Sequence, residues 1–294
     1  MKIGLIGLGR MGRTIQARLA GQGFDVVGWD RDAVAMNAAA ENGMAIAAHP
    51  RAVADGCDGT VISIITEDNG VRNIFRGKDG FLSGNARGKL FIDMSTLQPM
   101  TGRELAPLVE AAGASLIESP VLGSIPTARD GKLFAMVGGK VEDLERARPV
   151  LEKLTRKIVH MGPNGAGYAM KLAVNLGLAA YIQATAESLA LGHREGLSMR
   201  QMIDVLGEAP TANGWFAAKK GLLMGEDADI TLDLKTLRKD MMSVVATGAL
   251  AGTGMPLSAG VLDSLSAAVA QGWGDKDIGE LARFFREHMG QKFS

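Results

Sequence analysis

Lys2 to Ile6 is a short strand-forming run, and it passes directly into Gly7-Leu8-Gly9-Arg10-Met11-Gly12. Arg13 to Ala20 follows with helical spacing, and Phe24 to Trp29 reads as a second strand that ends in Asp30. No other stretch narrows the possible folds as far. Three glycines at this spacing are weak evidence alone. Set between a strand and a helix, with an acid about twenty residues on, they mark a βαβ unit of the dinucleotide-binding kind.

Each residue of the turn has a physical reason. Gly7 permits the tight bend, Gly9 lets backbone approach a pyrophosphate, and Gly12 lets the helix pack closely on the strand. The helix N-terminus offers N–H groups and positive partial charge to phosphates. Leu8, Arg10 and Met11 share the turn and are expected beside the cofactor. Asp30 is expected to accept hydrogen bonds from the adenosine ribose. Its carboxylate repels a 2′-phosphate and favours NAD, whereas Arg31 could pair with that phosphate and admit NADP. A glycine-rich turn without a ligand is the bland alternative.

Strands and helices keep alternating. Ala33 to Asn42 and Pro50 to Asp55 read as helices, and Thr60 to Ile65 as a strand buried on both faces, β-branched at nearly every position. Ligands of parallel sheets lie beyond the carboxyl ends of strands. Ile65 and Thr66, where this strand gives way to a loop reaching Gly70, are therefore expected to meet the cofactor. Leu90 to Met94 is the next strand. Thr96 behind it is a candidate hydroxyl donor to the nicotinamide ribose or substrate, unless Ser95 or Thr96 caps the helix starting near Pro99. Ser115 to Glu118 leads into a loop, Ser119 to Ser124. Leu133 to Val137 and Ile158 to His160 are further strands around the helix Glu142 to Leu154. The alternation stops at Met161, so a Rossmann domain is expected over 1–162.

The remainder, 163–294, is expected to be all helical and to serve substrate binding and dimerisation. It opens with a run free of proline from Gly165 to Gly196, and a helix from Ala166 to His193 would be apolar almost all round and buried on most sides. Lys171 and Asn175 sit on it four apart, on one face. Either the lysine lays its stem on apolar surface with its ammonium in water, or it is a catalytic amine tuned by its surroundings. Helices are also expected over Met199 to Leu206 behind a Ser198 cap, Asn213 to Met224, Leu234 to Leu250, Val261 to Gln271 and Ile278 to Met289.

Composition excludes several classes. With 32 basic and 32 acidic residues the chain offers no field to draw nucleic acid or an anionic membrane. One cysteine, Cys57, and four scattered histidines suggest neither a disulfide nor a metal site. No secretory leader or membrane-spanning run is evident, so a cytoplasmic protein is expected.

Taken together, these residues resemble the β-hydroxyacid dehydrogenase family, which includes 3-hydroxyisobutyrate dehydrogenase and tartronate semialdehyde reductase. The resemblance covers essentially the whole chain. It rests on Ile3 to Gly12, on Asp93-Met94-Ser95-Thr96, on Gly165 to Lys171 with Asn175 beyond, and on Lys239-Asp240 and Gly274 to Asp277. It implies an NAD(P)-dependent oxidoreductase acting on a small hydroxy acid or semialdehyde, as a homodimer or homotetramer. It also implies Lys171 as general acid/base, Asn175 as the residue orienting substrate, and Lys239 near cofactor and substrate. The family's carboxylate-holding loop usually reads Ala-Pro-Val-Ser-Gly-Gly. Here Leu122, Gly123 and Ser124 end it, so an altered grip on the substrate is implied. Imine reductases share the architecture but generally lack the lysine. A non-catalytic dinucleotide-binding module is the alternative from another class.

Overall fold

A computed structural model of the chain describes residues 1–288. Two compact units are present, Met1–Leu172 and a second that begins at Ala173. The first runs β1 (Lys2–Ile6), α1 (Arg10–Ala20), β2 (Asp25–Trp29), α2 (Ala33–Glu41), β3 (Ala45–Ile46), α3 (Pro50–Asp55), β4 (Thr60–Ser63) and α4 (Asp68–Arg76). It continues through β5 (Leu90–Asp93), α5 (Pro99–Ala111), β6 (Ser115–Glu118), β7 (Val121–Leu122), α6 (Ile125–Arg129), β8 (Leu133–Gly138), α7 (Val141–Leu154) and β9 (Thr155–Gly162). Helix α8 (Ala166–Arg194) spans the division.

The strand order is β3-β2-β1-β4-β5-β6-β8-β7, with β9 beside β8. From β3 to β6 all pairs are parallel, whereas β8 runs antiparallel to β6 and β7. This is the expected Rossmann sheet with an antiparallel extension. Alternate residues of each strand feed opposite faces. Ile3, Leu5, Ile62, Ile92 and Ile117 join a core with Ile15 and Leu19 of α1 and Leu144 and Leu151 of α7. Ile6, Val61, Phe91 and Leu116 face the other way, onto Val53 of α3, Phe75 of α4, Leu105 of α5 and Tyr168 of α8. Helices after β1 and β4 thus leave to opposite faces, which opens a crevice beyond those two strand ends.

Several local expectations change. The loop expected to run to Gly70 ends sooner, because Asp68 already starts α4 and Glu67 is its N-cap. The Ser119 to Ser124 segment contains β7, and Ser124 begins α6 as its N-cap. Neither Ser95 nor Thr96 caps α5, whose N-cap is Gln98 without a side-chain bond. The first turns of α8 pack on the sheet, and the compact units meet inside that helix, after Leu172. A Cβ on Gly167 would stand 2.7 Å from the Met136 carbonyl oxygen. Helix α8 is also less enclosed than its composition suggested, with Ala173, Gly177, Ala184, Ser188 and Leu191 exposed along it.

The second unit continues with α9 (Met199–Glu208), α10 (Gly214–Leu223), α11 (Leu234–Leu250), α12 (Pro256–Ala268) and α13 (Leu281–His288). Side-chain oxygens of Ser198, Asn213 and Asp233 cap α9, α10 and α11. Helix α12 starts five residues before the expected Val261, with Pro256 in its first turn. The last expected helix is a 3₁₀ turn, Ile278–Glu280, followed by α13; Met289 lies outside the described residues. Among the described residues no helix is long and apolar enough to cross a membrane.

Candidate active site

The glycine turn has the shape of a dinucleotide cradle. Gly7 takes φ +94°, the left-handed region that favours glycine. A Cβ on Gly12 would run into the Gly7 carbonyl, whereas one on Gly9 would meet nothing within 4 Å. Space is therefore left in front of α1, whose N-cap is Gly9 and whose first turn has no side-chain cap. Such uncapped N–H groups suit phosphate. Asp30 closes the turn from the end of β2: its Oδ2 accepts from Leu8 N–H at 2.6 Å and its Oδ1 from Asp32 N–H at 2.9 Å. Leu8 buries its side chain in the core and can offer a ligand only backbone; Met11 packs against the same core. Arg10 is exposed at the first position of α1.

Beyond β1, β2 and β4 lies a cavity of about 570 Å³, lined by Gly7, Gly9, Trp29, Asp30, Arg31, Ile65 and Thr66 among others. Its size and position suit one end of a dinucleotide. His49 and Lys78 also line it, and neither stands out in the sequence.

The loops behind β4 and β5 are clipped together. Ser95 Oγ accepts from Ile65 N–H at 2.8 Å and donates to Asp93 Oδ2 at 3.2 Å. Asp93 also takes Ser63 Oγ at 2.5 Å, Ser95 N–H at 3.0 Å and the Tyr168 hydroxyl at 2.8 Å. Thr96, half-buried, is thus held on a loop tied to the one that carries Ile65 and Thr66. Burial raises Asp93 above the usual carboxylate range although these donors oppose it.

Lys171 lies one turn into α8 and donates from Nζ to the Val121 carbonyl oxygen at 2.8 Å. Val121 and Leu122 form β7 beside Phe134 and Ala135 of β8, and Gly123 follows at φ +135°. Ser124 spends its polar atoms locally, its N–H reaching Thr127 Oγ1 at 3.4 Å and its Oγ lying 3.2 Å from the same oxygen. Directly before this loop stands Glu118, fully buried, accepting the N–H of Gly165 and that of Tyr168. Burial pushes Glu118 up to about 7; the Gly165, Tyr168 and Gly167 amides pull it down, and the Asp93 charge adds to the rise.

In the second unit, Asn175 Nδ2 donates to Asp240 Oδ2 at 2.6 Å, and Lys239 Nζ lies 2.6 Å from Asp240 Oδ1. One buried aspartate therefore joins two residues that the sequence singled out. The sequence analysis quoted Asp240 only as part of a motif, and it passed over Glu118 as the end of a strand and Tyr168 within the catalytic-helix motif.

Known proteins resemble both parts of the chain. Residues 2–162 match the NAD binding domain of 6-phosphogluconate dehydrogenase, and residues 165–285 the NAD-binding domain of NADP-dependent 3-hydroxyisobutyrate dehydrogenase. Glyoxylate/succinic semialdehyde reductase 1 of Arabidopsis thaliana is 29% identical over 290 residues, 98% of this chain and 100% of that protein. The 3-hydroxyisobutyrate dehydrogenase of Pseudomonas aeruginosa is 33% identical over 250 residues, 78% of this chain and 84% of the relative. A structure of Mycobacterium tuberculosis 3-hydroxyisobutyrate dehydrogenase with L-serine superposes with a TM-score of 0.83 at 32% identity, over 97% of this chain and 99% of that one.

Proposed function

This chain belongs to the β-hydroxyacid dehydrogenase family, and from that premise we propose that Lys171 is the general acid/base of its reaction. The enzyme is an NAD(P)-dependent oxidoreductase acting on a hydroxy acid. Our reading takes the substrate to be small, of the 3-hydroxyisobutyrate type. The observation carrying the lysine's role is its contact with Val121. It sets the amine beyond the carboxyl end of β6, on the edge of the sheet that also bears the glycine turn.

When bound, a nicotinamide accepts or returns the hydride. The chain's residues handle the proton. In oxidation, unprotonated Lys171 takes the proton of the substrate hydroxyl as the C–H bond breaks; in reduction, its ammonium returns that proton to the nascent alkoxide. A carbonyl accepts from either form of an amine, so the Val121 contact survives the transfer. Asn175 orients the substrate, Lys239 lies near it, and Leu122, Gly123 and Ser124 shape its carboxylate end. Gly7, Gly9, Gly12 and the first N–H groups of α1 hold the phosphates, with Leu8, Arg10 and Met11 in the same turn. Ile65, Thr66 and Thr96 border the cofactor. Asp30 favours NAD over NADP.

A second reading, semialdehyde or aldehyde reduction with NADPH, draws on Arg31 in the cavity wall and on the reductase from Arabidopsis. Preferred cofactor and direction separate the two. In either, we read a cytoplasmic homodimer or homotetramer. The free thiol of Cys57 suits a reducing compartment, and exposed Leu191, Leu250 and Leu257 suit self-association.

Lys171→Met tests the central claim, because it keeps the apolar stem and removes the amine. It should lower kcat by about 10² to 10⁴, delete one ionisation from the pH–rate profile, and leave cofactor affinity nearly unchanged. Near-normal kcat with an unchanged profile refutes the role.

A further inference from the structure

Glu118 and Asp93 are register partners at the carboxyl ends of neighbouring strands, and both are fully buried. No ion pair to either is present among the described residues, so two carboxylates stand side by side inside the first unit. Such an arrangement is costly unless the oxygens find donors. Those donors come from the start of α8. Glu118 accepts from Gly165 and Tyr168 N–H, while the Tyr168 hydroxyl donates to Asp93. Space for the Glu118 carboxylate is made by absent side chains. A Cβ on Gly102 of α5 would collide with its Oε1, one on Gly138 of β8 would stand 2.6 Å from its Oε2, and one on Gly167 3.3 Å from Oε2. Three helices and strands have been left bare around one acid.

We propose that Glu118 is a positioning residue for Lys171: by holding the first N–H groups of α8 it sets where the amine emerges beside Val121, and through Tyr168 and Asp93 it locks that helix start to the Ser95–Thr96 loop. This rests on the reading of Lys171 as the acid/base. The helix-start amides favour the ionised carboxylate, but burial outweighs them and raises Glu118 to about 7. A raised acid holds its proton more tightly in the folded state, so the anchor weakens as pH rises towards that value. The charged and titratable groups around it are Asp93 on β5, Tyr168 on α8, Arg103 of α5 against Gly165, and Asp68 of α4, whose charge bears on Tyr168. His160 on β9 is held to the Gly139 carbonyl.

The test is Glu118→Gln in the whole chain, with exchange of the amides over 164–172 and steady-state kinetics on a hydroxy acid that the parent turns over. In the parent, exchange protection corrected for the intrinsic rate should fall as pH rises towards about 7 and level off above it. In the variant it should be flat. The kcat should fall about 10- to 100-fold, the scale of a small misplacement of a reacting group, while cofactor Kd stays within about twofold. Adding Glu118→Gln to Lys171→Met should slow that variant no further. Parent-like kcat and protection in Glu118→Gln overturn the proposal. Should that variant not fold, a parent whose helix-start protection is flat from about pH 5 to pH 7 overturns it equally. An active Lys171→Met would instead sink the acid/base reading and leave the exchange result standing.

Discussion

Asn175 donates its side-chain amide to Oδ2 of Asp240 at 2.6 Å, and both residues are buried. Because a carboxylate only accepts, it fixes which end of the amide it holds, and Oδ1 is the acceptor that our reading of Asn175 turns to a substrate. Lys239 balances the same aspartate from its other oxygen. Asn175 is therefore a donor to the protein and an acceptor elsewhere, and the pairing depends on its being an amide.

Asn175→Asp should accordingly do more harm than Asn175→Ala. It sets a second acid against Asp240, and the introduced carboxyl is favoured only while it keeps its proton. We expect a loss of about 2–4 kcal/mol at pH 8, shrinking at pH 5, with kcat/KM falling at both. Urea melts at the two pH values check this. Equal stability of the two variants would mean the amide's orientation is not set by Asp240.

On our reading, cofactor choice turns on Asp30. NAD(H) should outperform NADP(H) in kcat/KM, and Asp30→Ala should narrow that ratio about tenfold, the worth of one charge-assisted contact. The structure adds a second effect. Asp30 holds Leu8 and Asp32 N–H, so its removal should raise Kd for both cofactors as the glycine turn loosens. A parent that prefers NADP(H) would show that Arg31 decides the matter.

The altered loop gives a third expectation. Leu122 is half-buried in β7, and Ser124 is engaged with Thr127 at the start of α6. Leu122→Ser should improve kcat/KM for 3-hydroxyisobutyrate, since it places a hydroxyl where the family's serine stands. Ser124→Ala should raise KM for a carboxylated substrate while costing about 1 kcal/mol or less in stability, as for a weak cap. Unchanged kinetics in both would take the loop out of substrate binding.

What the sequence made legible follows from range. The cradle could be read because Gly7, Gly9, Gly12 and Asp30 lie within one βαβ unit, where spacing alone implies contact. Lys171 could be singled out, though not given a role, because a cation inside an apolar helix is anomalous. Glu118 could not, since its partners lie 47 and 50 residues on and an acid ending a strand looks like a solvated cap. Its one local clue was the glycine content of the segments that meet it. Helix α4 was hidden by Asn69-Gly70, which reads as a turn, yet its apolar face of Val71, Ile74 and Phe75 buries against Phe81 and Phe91. Tertiary burial overrode local propensity there.

The last expectation concerns how α11 is held, since it carries Lys239 and Asp240. Lys219 of α10 is paired with Asp277 at 2.7 Å, with both side chains almost wholly buried. The same Asp277 oxygen accepts from Thr231 N–H at 2.9 Å and the Thr231 hydroxyl at 3.0 Å, and Oδ1 accepts from Gly279 N–H at 2.9 Å. Beside it, Leu234 N–H reaches the Lys276 carbonyl and fixes the first residue of α11. Burial alone would raise Asp277, but the Lys219 ammonium, the Gly279 and Thr231 amides and the nearby charge outweigh it and hold the carboxyl below its usual range. A depressed acid stabilises the fold above its unfolded pKa, and the contribution drains away as pH falls through the folded value. Lys219→Met strands the carboxylate and should cost about 3 kcal/mol at pH 7. By about pH 4 the variant's stranded acid gains its proton, so the gap should narrow, and it closes further as pH falls through the parent's own depressed value. Denaturant melts of parent and variant at pH 7 and pH 4 measure it. Activity should fall with stability at pH 7, because Lys239 and Asp240 ride on the helix that this pair anchors. A gap that is small at pH 7, or that widens in acid, would mean the pair does not hold α11 in place.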